Sequence, residues 1–412
     1  MASDFGLTFL QVAEVYLLCV VLHKIIPYPS RQGYCCSFDG KPLTYKLNGL
    51  WVLFVVVAFY VVLVHFGVKD ATFLARNFWF GWLSGALIGL ALSILYDVLG
   101  RVWPPVDAQY LRCLTRDMVS WDETAGAYKV IKQPLADPNY RKKSPILDFF
   151  NGHAFNPRFL GIDMKMMLYC WGAVLLQLNV LSMMMLQIQT NQSVLTNAMV
   201  VYVIAFTWFL VEYSFFENVH LYTYDLFAEK IGFKLLWGCL GFYPFLYCIG
   251  GIPLMTFAPA AQSQDADIPV LGAVGIGLLF LVGWVLTRGP NMQKFHLKMN
   301  PTATTFLFGL IPQKTIPGTR IICSGFWSLS RHINYLGEII QAIALALPGF
   351  IVMLGGGHPW YMCLIPWIYP LYYVMLFIPR ERDDNRMCHL KYGEAWETYC
   401  KMTPWRIIPY IY

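Results

Sequence analysis

The feature that most limits what this chain can become is the recurrence of apolar runs about as long as a membrane-crossing helix needs, roughly 20 residues. Nine such runs are read at 6–26, 48–67, 78–99, 167–189, 196–216, 233–257, 268–287, 336–354 and 359–379. With 57% hydrophobic, 17% aromatic and 13% charged residues, an ordinary soluble domain is excluded. The expected fold is an all-α polytopic membrane protein with about nine transmembrane helices and a cytoplasmic C-terminal cofactor-binding region. An N-terminal membrane half, 1–257 with a loop over 100–166, is expected to precede a C-terminal half, 258–412.

The basic residues orient these spans. With nine spans and a cytoplasmic C-terminus, 28 of the 30 Lys and Arg residues fall on the cytoplasmic side, and only Lys69 and Arg76 do not. Positive charge is retained on that side of a membrane. The net charge of +6 has no like-charged run of the kind that binds nucleic acid. The start, MASDFGLTFLQ, lacks the basic region of a cleavable signal peptide. The eleven cysteines form no CxxC pair, so they read as reduced, with no metal site. The excursion over 101–147 reads either as a small docked subdomain or as a loose loop.

Four groups of residues carry chemistry, each with a plainer alternative. Lys294 and Lys298 are four apart and share a helix face; they read as a phosphate clamp or as basic residues beside headgroups. Trp327, Arg331, Asn334 and Tyr335 fall at i, i+4, i+7 and i+8, one helical stripe suited to a ring-and-amide ligand or to an interfacial aromatic belt. Asp384, Arg386, Lys391, Tyr392, Trp396 and Tyr399 could meet phosphates, ribose hydroxyls and rings, or line an amphipathic helix lying on the membrane. Glu212, Glu217, Asp225, Tyr243 and Tyr247 are polar groups in or beside spans, where an ionisable group suggests function. For Glu217 and Asp225, beyond the fifth span, solvated loop carboxylates are the alternative. No Rossmann glycine fingerprint, P-loop, zinc-protease or nucleophile-elbow motif is present.

In order along the chain stand KPLTYKLNG (41–49), DFFNGHAFNPRFLGIDMKM (148–166), EKIGFKLLWGCL (229–240) and NMQKFHLKMNP (291–301). SGFWSLSRHINYLGE (324–338), CHLKYGEAWETYC (388–400) and RIIPYIY (406–412) follow. Together they resemble the membrane sterol reductases: C14, C7 and C24(28) sterol reductases and the reductase half of the lamin B receptor. The intact RHINYLGE and RIIPYIY look most like the C14 enzymes. That resemblance implies an NADPH-dependent enzyme of sterol biosynthesis that reduces one carbon–carbon double bond. It implies residence in the endoplasmic reticulum membrane, or the inner membrane if bacterial. It also implies a sterol substrate and membrane lipid as partners, with room for association with other sterol-biosynthesis enzymes, and neither nucleic acid nor metal.

Carried over by position, the resemblance assigns the cofactor pocket to Lys294, Lys298, Ile322, Trp327, Asn334, Tyr335, Asp384, Cys388, His389, Leu390, Lys391, Tyr392 and Tyr399. Lys298 stands where the family usually has Arg, keeping the charge without the bidentate fork. Ala228 replaces a frequent His, Cys239 a frequent Asp, and Tyr169-Cys170-Trp171 an Arg-Pro-Gly. An isolated alkene does not accept hydride, so the implied reaction starts with a proton. Tyr247, at the family's span tyrosine, is the expected donor, with Asp225 and Glu217 in a relay, because a phenol near pKa 10 is a weak acid. The other readings are a C7 or C24(28) reductase, an S-adenosylmethionine-dependent methyltransferase of the isoprenylcysteine type, and a non-catalytic sterol-binding protein.

Overall fold

The computed structural model describes residues 2–138, 140, 144–257, 267–356 and 358–412. The helices in chain order are α1 (Ala2–Ile25), α2 (Gly49–His65), α3 (Phe73–Arg76), α4 (Phe78–Val102) and α5 (Pro145–Asn151). Next come α6 (Met164–Thr190), α7 (Asn197–Phe215), α8 (Glu217–His220), α9 (Tyr224–Phe227) and α10 (Phe233–Trp237). The last are α11 (Gly251–Met255), α12 (Val270–Met299), α13 (Ile333–Gly355), α14 (Ile368–Tyr392) and α15 (Glu394–Met402). Among the described residues, eight helices are long and apolar enough to cross a membrane. The ninth apolar run, α2, has 17 residues, the short end of what spans a bilayer. The chain is thus an all-α polytopic membrane protein.

Among the described residues, four antiparallel two-stranded hairpins decorate the helices: β1 (Ser30–Cys36) with β2 (Pro42–Lys46), β3 (Val119–Asp122) with β4 (Ala127–Val130), β5 (Arg158–Phe159) with β6 (Ile162–Asp163), and β7 (Thr305–Phe306) with β8 (Ile311–Pro312). The chain divides into two compact units, Met1–Gln189 with Phe206–Cys248, and Thr190–Ala205 with Ile249–Tyr412.

In the first unit the 101–147 excursion is docked, not loose, although 139 and 141–143 lie outside the described residues. Cys36 N donates to Leu114 O (2.8 Å) and Cys113 N to Phe227 O (3.0 Å), while Arg112 lies over the Tyr224 and Phe227 rings. Pro244 falls inside an apolar span, where it cannot donate to the carbonyl four residues back. The backbone widens into a π-helix over Gly238–Leu246. The carbonyl of Leu240 accepts instead from Tyr16 OH (3.4 Å), and that of Pro244 from Asn179 Nδ2 (2.8 Å). Glycines at 81, 85 and 89 let α4 lie directly on this segment: a Cβ at Gly85 would collide with Leu240 O, and one at Gly81 would stand 2.8 Å from the Phe245 ring. Small residues at such spacing permit close approach in membranes.

At the start of α6, the Asp163 carboxylate caps the helix, accepting from Lys165 N (3.1 Å) and Met166 N (3.2 Å). Lys165 is fully buried, and its Nζ donates to the carbonyls of Asp225 (2.7 Å), Leu226 (3.1 Å) and Glu229 (2.6 Å). A cation at the C-terminal carbonyls of a short helix suits the helix dipole and holds the segment that carries Asp225 in place.

In the second unit, α12 and α13 meet through Gly283 and Gly337, each of which would collide with the opposite backbone if it carried a side chain. Thr287 Oγ1 and Gln341 Oε1 form a polar bond in this seam (3.2 Å).

Candidate functional site

The polar end of the second unit is assembled from four stretches. At the end of α12, Gln293 is fully buried; its amide donates to Ser324 O (3.1 Å) and accepts from Phe326 N (3.2 Å). That pair holds a 3-10 turn, Gly325–Ser328. Trp327 in this turn donates from its indole to Pro290 O (3.1 Å), and the Lys294 ammonium stands 5.9 Å from the Trp327 ring centroid. Tyr399 OH of α15 donates to Trp327 O (2.7 Å).

Trp327 and Tyr335 do not share one helix, which corrects the single-stripe expectation. The 3-10 turn ends at Ser328 and α13 begins at Ile333. The segment between is held by the folded-back tail: Arg331 N donates to Trp405 O (2.9 Å), His332 N to Arg406 O (2.8 Å) and Ser330 Oγ to Ile407 O (2.8 Å). Backbone groups satisfied by the tail cannot also make a helical ladder. The buried Arg331 guanidinium donates to Asn385 Oδ1 (2.8 Å), Cys400 Sγ (3.0 Å) and Pro404 O (3.2 Å). It acts as a bracket, not as a free cation.

Beyond the bracket, His332 and Tyr335 stack (5.0 Å), and Tyr335 stacks on Phe377 of α14 (4.4 Å). Burial holds the His332 imidazole down at about 4; Asp384 opposes this, while Arg331, Lys294 and Arg406 add to it. His332 is therefore neutral at physiological pH. Its Nε2 and the Oδ1 of Asn334 are buried without a hydrogen-bond partner among the described residues. Such atoms are costly unless a ligand or water meets them.

Of the residues expected to bind a cofactor, the fold joins Lys294, Trp327 and Tyr399 directly. Asp384 opposes the effect of burial on the His332 imidazole, and Asn334 and Tyr335 follow His332 at the start of α13. Lys298 lies one turn beyond Lys294 on α12, half-buried, and Ile322 is buried just before the Gln293 clamp. Cys388 contacts Asp384 Oδ2 (3.9 Å) and, with Tyr392, packs on the Ile316–Ile321–Trp396–Tyr399 cluster. Lys391 lies 5.1 Å from the Tyr392 ring. His389 faces Glu397 on the surface (3.7 Å), and Leu390 is 58% exposed. Unforeseen participants are Gln293, His332 and Glu381. Glu381 is fully buried and paired with Arg406 (3.2 Å) and Tyr412 OH (3.4 Å). The Gln of NMQK and the Glu of RERDD were visible in the sequence, but nothing there indicated burial.

The first unit holds a separate polar group. Glu217 is buried, not solvated as one reading expected. Its Oε2 accepts from Gly49 N (3.1 Å). It faces a narrow cleft lined also by Tyr169, Cys170, Tyr213 and Ser214. Burial pushes its carboxyl up to about 8 against that one backbone donor. Asp225 is half-buried in α9. Tyr247 closes the π-helix, half-buried, its ring 4.8 Å from that of Tyr243.

The fold and these groups define a polytopic helical membrane protein with a cation-and-ring cluster in one unit and a buried proton-bearing carboxyl in the other. The sequence model of the ergosterol biosynthesis ERG4/ERG24 family matches residues 6–412, and the chain belongs to that family. It is similar to the Delta(14)-sterol reductase of Methylotuvimicrobium alcaliphilum, 30% identical over 395 residues, covering 94% of this chain and 79% of that protein. The Delta(14)-sterol reductase of Arabidopsis thaliana is 28% identical over 415 residues, 99% of each chain. That of Mus musculus is 33% identical over 343 residues, covering 80% and 74%.

Proposed function

We propose that this protein is an NADPH-dependent sterol reductase that saturates the C14 double bond of a sterol during sterol biosynthesis. The observation that carries the reading is the meeting of Lys294 and Tyr399 at Trp327, in the same unit as the unpartnered Oδ1 of Asn334, in a chain whose family relatives are named Delta(14)-sterol reductases. The residues fit the cofactor. Lys294 offers a phosphate its charge, Trp327 and Tyr335 offer rings, and the unpartnered Oδ1 of Asn334 offers an acceptor to a carboxamide or ribose hydroxyl.

When bound, the reduced nicotinamide supplies a hydride. The protein's own part is acid chemistry and positioning. The Tyr247 hydroxyl gives its proton to one alkene carbon, leaving a tertiary cation on the other. Glu217, still protonated near neutral pH, and Asp225 restore the phenol's proton. Rings near such a cation stabilise it. The same reading has the protein in the endoplasmic reticulum membrane, or the inner membrane if bacterial, with its C-terminus on the cytoplasmic side.

The test is to offer purified protein NADPH, NADH or S-adenosylmethionine with sterols unsaturated at C14, C7 and C24(28), and to read products by mass and double-bond position. Loss of the C14 double bond with NADPH is expected. Saturation at another carbon reassigns the substrate. Binding of S-adenosylmethionine with no reduced sterol overturns the reading.

A further inference from the structure

Among the described residues, two of the four hairpins expose more than one large apolar side chain at the tip, whereas the β1–β2 turn exposes Phe38 alone. In the β3–β4 hairpin the turn is Glu123-Thr-Ala-Gly126, and Asp122 Oδ1 accepts from Thr124 N (3.0 Å). In the β7–β8 hairpin the turn is Leu307-Phe308-Gly309-Leu310, with Phe308 99% and Leu310 76% exposed. Leu307 and Phe308 take φ of 53° and 54°, where residues with a Cβ are rarely found. A strained turn displaying three large apolar side chains to water has no evident gain there.

The hairpin itself is seated. Phe306 is buried with its ring 5.6 Å from that of His296, and Gln313 N donates to Thr304 O (2.8 Å). Thr305 and Pro312 of the strands are exposed as well, but the large apolar side chains that face outward are those of the tip. Its strands are two residues long, about 7 Å each, and β7 begins a few residues after Met299, where the membrane-crossing α12 ends. The tip therefore follows the polar end of a helix whose apolar part crosses the bilayer. The β5–β6 hairpin of the other unit repeats the build. Its strands are also two residues long, it runs directly into the spanning α6, and its tip exposes Phe159 and Leu160, with Leu160 at φ 50°.

We propose that the β7–β8 hairpin is a membrane-dipping wedge, with Leu307, Phe308 and Leu310 seated among lipid acyl chains at the headgroup boundary. The wedge also braces the polar end of its unit. Pro312 O of β8 accepts from Ser324 Oγ (2.7 Å), Lys314 N donates to the same hydroxyl (2.8 Å), and Ser324 O is held by Gln293 beside Trp327. This second consequence rests on the cofactor reading above; the lipid contact does not.

The full chain is made with the photo-crosslinker p-benzoyl-phenylalanine in place of Phe308, Leu160 or Thr124, reconstituted in phosphatidylcholine vesicles and irradiated. Peptide masses should show phosphatidylcholine adducts at 308 and 160 at several times the yield at 124. A 308 product joined to a second copy of the chain, or a lipid yield no higher than at 124, overturns the proposal. For the brace, Phe308→Asp with Leu310→Asp should raise the dissociation constant for NADPH about five-fold, while Phe308→Trp restores it. An unchanged constant removes the brace. If the unsubstituted protein does not bind NADPH, the cofactor reading falls and the adduct result stands.

Discussion

Glu217 in the first unit and Arg331 in the second are both nearly withdrawn from solvent, yet they are treated in opposite ways. Arg331 is met by a side-chain amide, a thiol and a backbone carbonyl, so its charge is spent on holding the tail, α14 and α15 to the start of α13. Glu217 receives one backbone N–H and faces a cleft, so burial dominates and its proton is retained near neutral pH. A buried ion held by three partners on different segments becomes scaffold even though its Nε is left unmet, whereas a carboxyl met by a single backbone donor keeps a proton that can move.

That contrast can be broken at several points. The largest effect is expected from Tyr247→Phe, which removes the proposed donor. Turnover should fall about 100-fold or more with little change in KM, in the range for loss of a general acid, measured as product formed under saturating NADPH. Glu217→Gln should lower kcat less, by about ten-fold, because it interrupts refilling and not the transfer itself.

The same residue makes a signed prediction about pH. Its carboxyl is raised from 4.5 to about 8 in the folded protein, so the folded state binds the proton more tightly than the unfolded chain. The stability this contributes is complete below pH 4.5 and is lost as pH rises through 8. Thermal unfolding at pH 9 against pH 6 should show that loss, and Glu217→Gln should flatten the difference. A wild-type profile already flat would mean the carboxylate is solvated.

Lys294→Ala should raise KM for NADPH about ten-fold with kcat nearly intact, the cost of one charge-assisted contact; isothermal titration checks it. At the bottom of the scale, His389→Ala breaks only an exposed pair with Glu397. It should leave stability within about 0.5 kcal/mol and KM unchanged. A large effect there would move the site outward along α14.

Much of this was legible before any coordinates. Nine apolar runs announced the helices, eight of them long and apolar enough to span among the described residues, while α12 runs on past the expected end at 287 to carry Lys294 and Lys298. The Trp327–Tyr335 stripe was misread because a helical period holds only while the backbone bonds to itself. Here the returning segment at 405–407 takes the Ser330 hydroxyl and the Arg331 and His332 N–H groups. Glu217 was misread for a related reason: its position after a span implied water, but Gly49, far away in the chain, closes over it. The glycines 81, 85 and 89 were in plain sight, yet only the π-helix they pack against explains them.

By itself the sequence determined that this chain lives in a bilayer, how its apolar segments run, and which residue types could meet a dinucleotide or a proton. Those follow from local composition and period, which do not depend on a partner. The tertiary structure alone decided which of those groups are buried together, which are tied down and which keep an unmet atom. Protonation and hydrogen-bond satisfaction depend on neighbours brought from tens or hundreds of residues away, and no local pattern encodes them.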